Sequence, residues 1–106
     1  MEKSKLNVIC GLKITSAVLG ENKVTLSFEN GSVLSIYNSH KLDGFIADNV
    51  QDLIGKVVSQ VEDQMEIATI KFENDWAILV DMRDEAYMGP EAMQLRVPGE
   101  PIVIWN

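Results

Sequence analysis

The chain is poor in the residues that usually announce chemistry. It has one cysteine (Cys10), one histidine (His40), three prolines and seven aromatics among 106 residues. A single cysteine excludes an internal disulfide, and with it the disulfide-built class of small secreted domains. One histidine leaves little room for a nucleophile–base pair, which would have to join His40 to Ser39, Cys10 or a hydroxyl distant in sequence. The seven glycines stand singly, so no phosphate-cradling loop is present. No apolar run approaches the ~20 residues of a membrane-spanning helix. The charged start Met1-Glu2-Lys3-Ser4-Lys5 lacks the apolar segment of a signal peptide. These absences predict a single cytoplasmic domain over residues 1–106, with no membrane association.

What is present is mostly pattern. Thr25-Leu26-Ser27-Phe28-Glu29-Asn30-Gly31 returns forty-four residues later as Thr69-Ile70-Lys71-Phe72-Glu73-Asn74-Asp75. At the same offset Leu6–Gly11 lies over Val50–Gly55, each with paired apolar residues before a glycine that can close a helical turn. Ser4 is the candidate N-cap of the first turn, and Asp48 or Asn49 of the second. The repeats run over about residues 6–37 and 50–81.

The first repeat reads as strand 12–19, strand 23–28, the turn Glu29-Asn30-Gly31, and strand 32–37. A two-residue Asn-Gly turn would pair Phe28 with Val33 and scatter the apolar residues over both faces. A three-residue loop, with Gly31 left-handed, pairs Leu26 with Leu34 and Val24 with Ile36. The same choice in the second repeat pairs Ile70 with Ile78 and Ala68 with Val80, with Asp75 in the left-handed position. Phe28, Phe72 and Trp76 then belong to the core face. The first strand of the second repeat is too polar in regular alternation, so a bulge near Gln60 is expected to turn Val61 inward.

Between the repeats, Leu42, Phe45, Ile46, Val50, Leu53 and Ile54 recur at helical spacing, predicting one broken helix or two short ones, with His40 near the start. Pro90 with Glu91 predicts another short helical turn. The chain closes in a hairpin, residues 93–97 and 102–105, with Met93, Leu95, Val97, Ile102 and Ile104 on one face. The expected fold is therefore α+β and β-rich: two tandem antiparallel β-meanders in a pseudo-two-fold arrangement, with short helical turns and a C-terminal β-hairpin.

The net charge of −7 argues against nucleic-acid binding, which requires a basic surface. Residues 1–60 hold six basic and six acidic side chains, whereas residues 61–106 hold three basic and ten acidic ones. Such asymmetry steers a basic protein partner toward one end of a domain. The candidate contact residues are Asp63, Glu66, Asp81, Asp84, Glu85, Tyr87 and Glu91. Tyr37 is a further candidate for exposed contact, since tyrosine is enriched at interfaces.

Two resemblances sharpen this reading. The stretch Asp84-Glu85-Ala86-Tyr87-Met88-Gly89-Pro90-Glu91-Ala92, the ending Ile102-Val103-Ile104-Trp105-Asn106 and the repeated strand–Phe-Glu-Asn–strand pattern resemble a group of small, uncharacterised bacterial β-rich proteins. In size, acidity and lack of catalytic residues the chain is also similar to immunity proteins of bacterial toxin systems, including contact-dependent growth inhibition. That likeness implies a non-enzymatic cytosolic inhibitor that binds a basic toxin domain, often a nuclease; the residues themselves lead to no cofactor or metal being expected. Two alternatives stay open. One is a small-ligand or metal-dependent enzyme using the Asp81, Asp84 and Glu85 carboxylates, the other a self-associating structural domain.

Overall fold

A computed structural model describes residues 5–20, 23–87 and 89–105. Among these residues nine strands form two antiparallel sheets, joined by three short 3-10 helices. The strands are β1 (Ile14–Leu19), β2 (Val24–Phe28), β3 (Val33–Ile36), β4 (His40–Asp43), β5 (Val58–Asp63), β6 (Ile67–Phe72), β7 (Ala77–Asp81), β8 (Met93–Arg96) and β9 (Val103–Trp105). Sheet I has the order β1-β2-β3-β8-β9, and sheet II the order β4-β7-β6-β5.

The order reveals a reciprocal exchange. Each repeat contributes a three-strand meander, β1–β3 or β5–β7, and its fourth strand crosses to the other repeat's sheet. β4 pairs with β7, and β8 pairs with β3. The two halves are locked together by backbone ladders, which a pair of side-by-side meanders would lack.

The internal symmetry extends to single hydrogen bonds. Lys13 and Val57, forty-four apart, bridge each other in antiparallel fashion just ahead of β1 and β5. Around that bridge Gly11 N–H donates to Val58 C=O and Gly55 N–H to Ile14 C=O, both at 2.8 Å. Gly11 and Gly55 have φ of +83° and +91°, the left-handed conformation that ends each preceding 3-10 helix. Both first strands carry a bulge at the same place, between Ile14 and Ser16 and between Val58 and Gln60. The bulge turns Ala17 and Val61 inward, as expected for Val61. Its occurrence in β1 was not evident from the sequence.

Both hairpin loops are three-residue turns. Leu26 faces Leu34 and Ile70 faces Ile78, with Gly31 at φ +88° and Asp75 at φ +68°. Asn30 and Asn74 tighten the turns by accepting the backbone N–H of Ser32 and Trp76. The shared inner layer includes Leu26, Leu34, Phe28, Ile70, Ile78 and Phe72, all buried.

Four expectations need correction. The apolar spacing through residues 42–54 does not form a broken helix: His40 to Asp43 is strand β4, and only Ala47–Leu53 is helical, as a 3-10 helix. Three separate structures supply its apolar contacts, with Leu42 on β4, Phe45 stacked on Trp76, and Val50 and Leu53 in the helix. That 3-10 helix is capped at Ile46 without a side-chain bond, so neither Asp48 nor Asn49 serves as its N-cap. The other candidate cap, Ser4, lies outside the described residues. Pro90 and Glu91 are irregular, and the short 3-10 helix lies earlier, at Asp84–Ala86. In the terminal hairpin Met93 opposes Trp105 and Leu95 opposes Val103, so Ile102 and Ile104 face outward, not inward. No helix among the described residues is long and apolar enough to cross a membrane.

Candidate functional site

Symmetry makes the departures from it conspicuous. Three residues, 37–39, connect Ile36 of β3 to His40 of β4; at the equivalent place twelve residues, 81–92, connect Val80 of β7 to Met93 of β8. The longer connection contains Asp81, Asp84, Glu85, Tyr87 and Glu91. It is anchored rather than loose: Ala86 and Ala92 are buried, Tyr87 is half-buried against the core, and Ala86 C=O accepts the Ser39 N–H.

Charge follows the sheets. Residues 40–87, which supply all of sheet II and its connections, contain eleven carboxylates and four cations; the rest of the chain contains five of each. The strand exchange thus redraws the division made along the sequence. The excess of negative charge lies with sheet II, whereas β8 and β9 of the acidic C-terminal segment belong to sheet I.

Arg83 is the hub of the cluster. Its Nε donates to Asp81 Oδ1 at 2.9 Å and its Nη2 to Asp81 Oδ2 at 2.7 Å, while its backbone N–H donates to Asp81 Oδ1 at 3.0 Å. Glu85 Oε1 lies 3.4 Å from Arg83 Nη1. The side-chain and backbone hydrogen bonds from Arg83 hold the Asp81 carboxyl down at about 2, below its ordinary 3.8. Reciprocally, hydrogen bonding to Asp81 and the charges of Asp81, Glu85 and Glu66 hold the guanidinium more firmly protonated.

Two shallow depressions meet at Arg83. The larger, about 410 Å³, has Ile67 and Leu79 among its lining residues, together with Ser39, His40, Lys41, Glu66, Asp81 and Arg83. The second, about 380 Å³, runs past Met65, Glu66, Met82, Arg83, Asp84 and Glu85. Glu66 reaches the cluster because the turn between β5 and β6 abuts the exit of β7, where Met82 N–H donates to Glu66 C=O at 3.0 Å. The symmetry-related face of sheet I has a depression of about 300 Å³ lined by Lys23, Val33, Ser35, Tyr37, Gln94 and Arg96, without a carboxylate.

The structure therefore brings Glu66, Asp81, Asp84 and Glu85 together around one arginine. Compared with known proteins, the chain matches no family model, no curated protein and no solved structure. What the cluster can do must be read from its geometry. Asp63, at the end of β5, instead accepts the Trp105 indole N–H at 3.0 Å and ties sheet II to β9. Tyr87 turns toward the core, Glu91 is half-buried, and Tyr37 is also half-buried, its hydroxyl 3.3 Å from Gln94 Oε1.

Sequence reasoning missed Arg83 as the hub and missed Lys41, which the exchanged strand delivers. The first had a signal, since residues 81 and 83 share one side of an extended segment. The second had none, because it depends on the pairing of β4 with β7. For the metal alternative, both Asp81 oxygens are engaged by Arg83, and a cation would have to displace that guanidinium. Among the described residues no three His, Cys, Asp or Glu side chains converge as a metal-holding group.

Proposed function

We propose that the chain is a non-enzymatic protein-binding module whose acidic sheet II end receives a basic partner. The carrying observation is the twelve-residue connection 81–92, which adds carboxylates where the other repeat has only a three-residue link. Asp84, Glu85 and Glu66 are exposed around Arg83, and the Arg83–Asp81 pair holds the segment in shape. A preorganised anionic surface of this kind loses less conformational entropy on docking than a flexible acidic loop. It raises association rates and rejects partners of like charge. An inhibitor of the immunity type fits this description, with the carboxylates standing in for the anionic substrate of a cationic toxin domain.

The test is capture from native cell lysate on the immobilised protein, with washes at rising salt. It compares the wild type with Asp84→Lys/Glu85→Lys/Glu91→Lys. The reading expects a basic protein released by salt and lost with the triple variant. Recovery of the same protein on both, released at the same salt concentration, defeats it.

A further inference from the structure

β4 and β8 are symmetry-equivalent strands with unequal surroundings. The outer edge of β8 is covered by β9, and its inward side chains Met93 and Leu95 are 0% and 1% exposed. β4 is the edge of sheet II, and its equivalent inward residues, His40 and Leu42, are only half-buried. The cause lies in chain order. After β8 the chain turns back in a hairpin to make β9, whereas after β4 it must continue into the second repeat. Sheet II thus lacks the strand that sheet I has.

The backbone of β4 is prepared for such a strand. Asp81 N–H donates to Ser39 C=O at 2.9 Å, which puts Ser39 and Asp81 at a bonded position of the ladder, with the Ser39 N–H turned to Ala86 C=O instead. In antiparallel alternation Lys41–Leu79 and Asp43–Ala77 are then the next bonded pairs, and the N–H and C=O groups of His40 and Leu42 point away from β7. An unpaired edge of this kind is a template for another strand.

We propose that the occupant is β4 of a second copy of this chain, paired antiparallel across a two-fold axis through Leu42. The outward groups confine the hydrogen-bonded pairs to residues 40, 42 and 44, so Lys41 and Asp43 can face only residues 41 or 43 of the second copy, as non-hydrogen-bonded pairs. With Leu42 opposite the second copy's Leu42, Lys41 falls opposite the second copy's Asp43, and Asp43 opposite the second copy's Lys41. The hydrogen-bonding phase permits this register, and the charge pattern selects it over its neighbours, which set Lys41 opposite Lys41 or Asp43 opposite Asp43. Leucine meets leucine on the inner face, and two opposite-charge pairs form on the outer face. The result is a continuous eight-stranded sheet made from two four-stranded ones, closed by an isologous contact. It uses the backbone edge of β4 and not the carboxylates of residues 84–91, although His40 and Lys41 also line the depression beside Arg83.

Sedimentation equilibrium over a wide protein concentration range, in salt at about physiological strength, tests this on the full chain. Four proteins are compared: wild type, Lys41→Asp, Asp43→Lys, and the double exchange. Both positions are exposed, and circular dichroism with cooperative unfolding checks that each variant folds. The wild type is expected to form a concentration-dependent dimer. Each single variant, which sets like charges opposite each other twice, is expected to associate roughly ten-fold or more weakly. The double exchange recreates both pairs and is expected to restore the wild-type constant. A wild type that stays monomeric throughout, a dimer indifferent to the single changes, or a ladder of species larger than a dimer overturns the proposal.

Discussion

Gly44→Ala probes the joint where the exchanged strand β4 leaves sheet II. Gly44 has φ +90°, and a Cβ there would stand 2.8 Å from Trp76 Cδ1 and 3.4 Å from Trp76 Cα. Phe45 lies stacked on the Trp76 ring, with centroids 4.7 Å apart and planes within 9°, which limits how far the ring can retreat. Left-handed strain costs about 1–2 kcal/mol for an L-residue, and overpacking adds about 1–3 kcal/mol. Reduced freedom of the unfolded chain returns roughly 0.4–1 kcal/mol. The net loss is about 1–4.6 kcal/mol, which lowers Tm by roughly 4 °C or more for a domain of this size. Gly55→Ala is the matched control: its φ is +91° but nothing lies within 4 Å of the added Cβ, so only the strain remains. Urea unfolding followed by tryptophan fluorescence and circular dichroism gives both values. Equal losses in the two variants would refute the claim that the Gly44 contact with Trp76 matters.

Three further outcomes follow from single groups. Ser32 Oγ is buried without a hydrogen-bond partner among the described residues, so Ser32→Ala should leave stability unchanged or raise it by up to about 1 kcal/mol in denaturant unfolding. The depressed Asp81 carboxyl should titrate near 2 by NMR and return toward 3.8 in Arg83→Met. Because the folded-state value is the lower one, its stabilising contribution is present above the ordinary carboxylate range and is lost as pH falls from 3.8 through about 2. An unshifted midpoint in Arg83→Met would show that Arg83 is not the cause. Asp63→Ala removes the acceptor of the Trp105 indole N–H and should cost about 1 kcal/mol or somewhat more, with a change in Trp105 emission. An unchanged emission spectrum would show that the contact does not persist in solution.

The hairpins were legible because one face of each had to be buried. Only the three-residue loop placed Leu26, Leu34, Ile70 and Ile78 together, and the ladder has that register. The bulge at Gln60 was legible for the same reason. The strand exchange was not. β4 is four residues, His-Lys-Leu-Asp, with a single apolar side chain, and its partner β7 lies more than thirty residues away along the chain. Its Leu42 also fell into a helical period with residues that bury themselves independently. β9 misled in another way: Ile102, Val103, Ile104 and Trp105 are apolar on both faces, so alternation could not tell which face packs inward. As for the site, its carboxylates were visible as a charge run, but not that Glu66 would approach Arg83 while Asp63 turned to Trp105. Those placements depend on the turn between β5 and β6 and on the docking of β9.

The central claim is that the long connection in sheet II is a binding addition to a symmetric scaffold. The most direct test replaces residues 81–92 with the three residues Tyr-Asn-Ser that serve at positions 37–39, then repeats the lysate capture beside the intact protein. The account predicts a variant with the same β-rich circular dichroism and cooperative unfolding that no longer retains the basic partner. A folded variant that captures the same protein at the same salt, or a chain that cannot fold without the long connection, would contradict it.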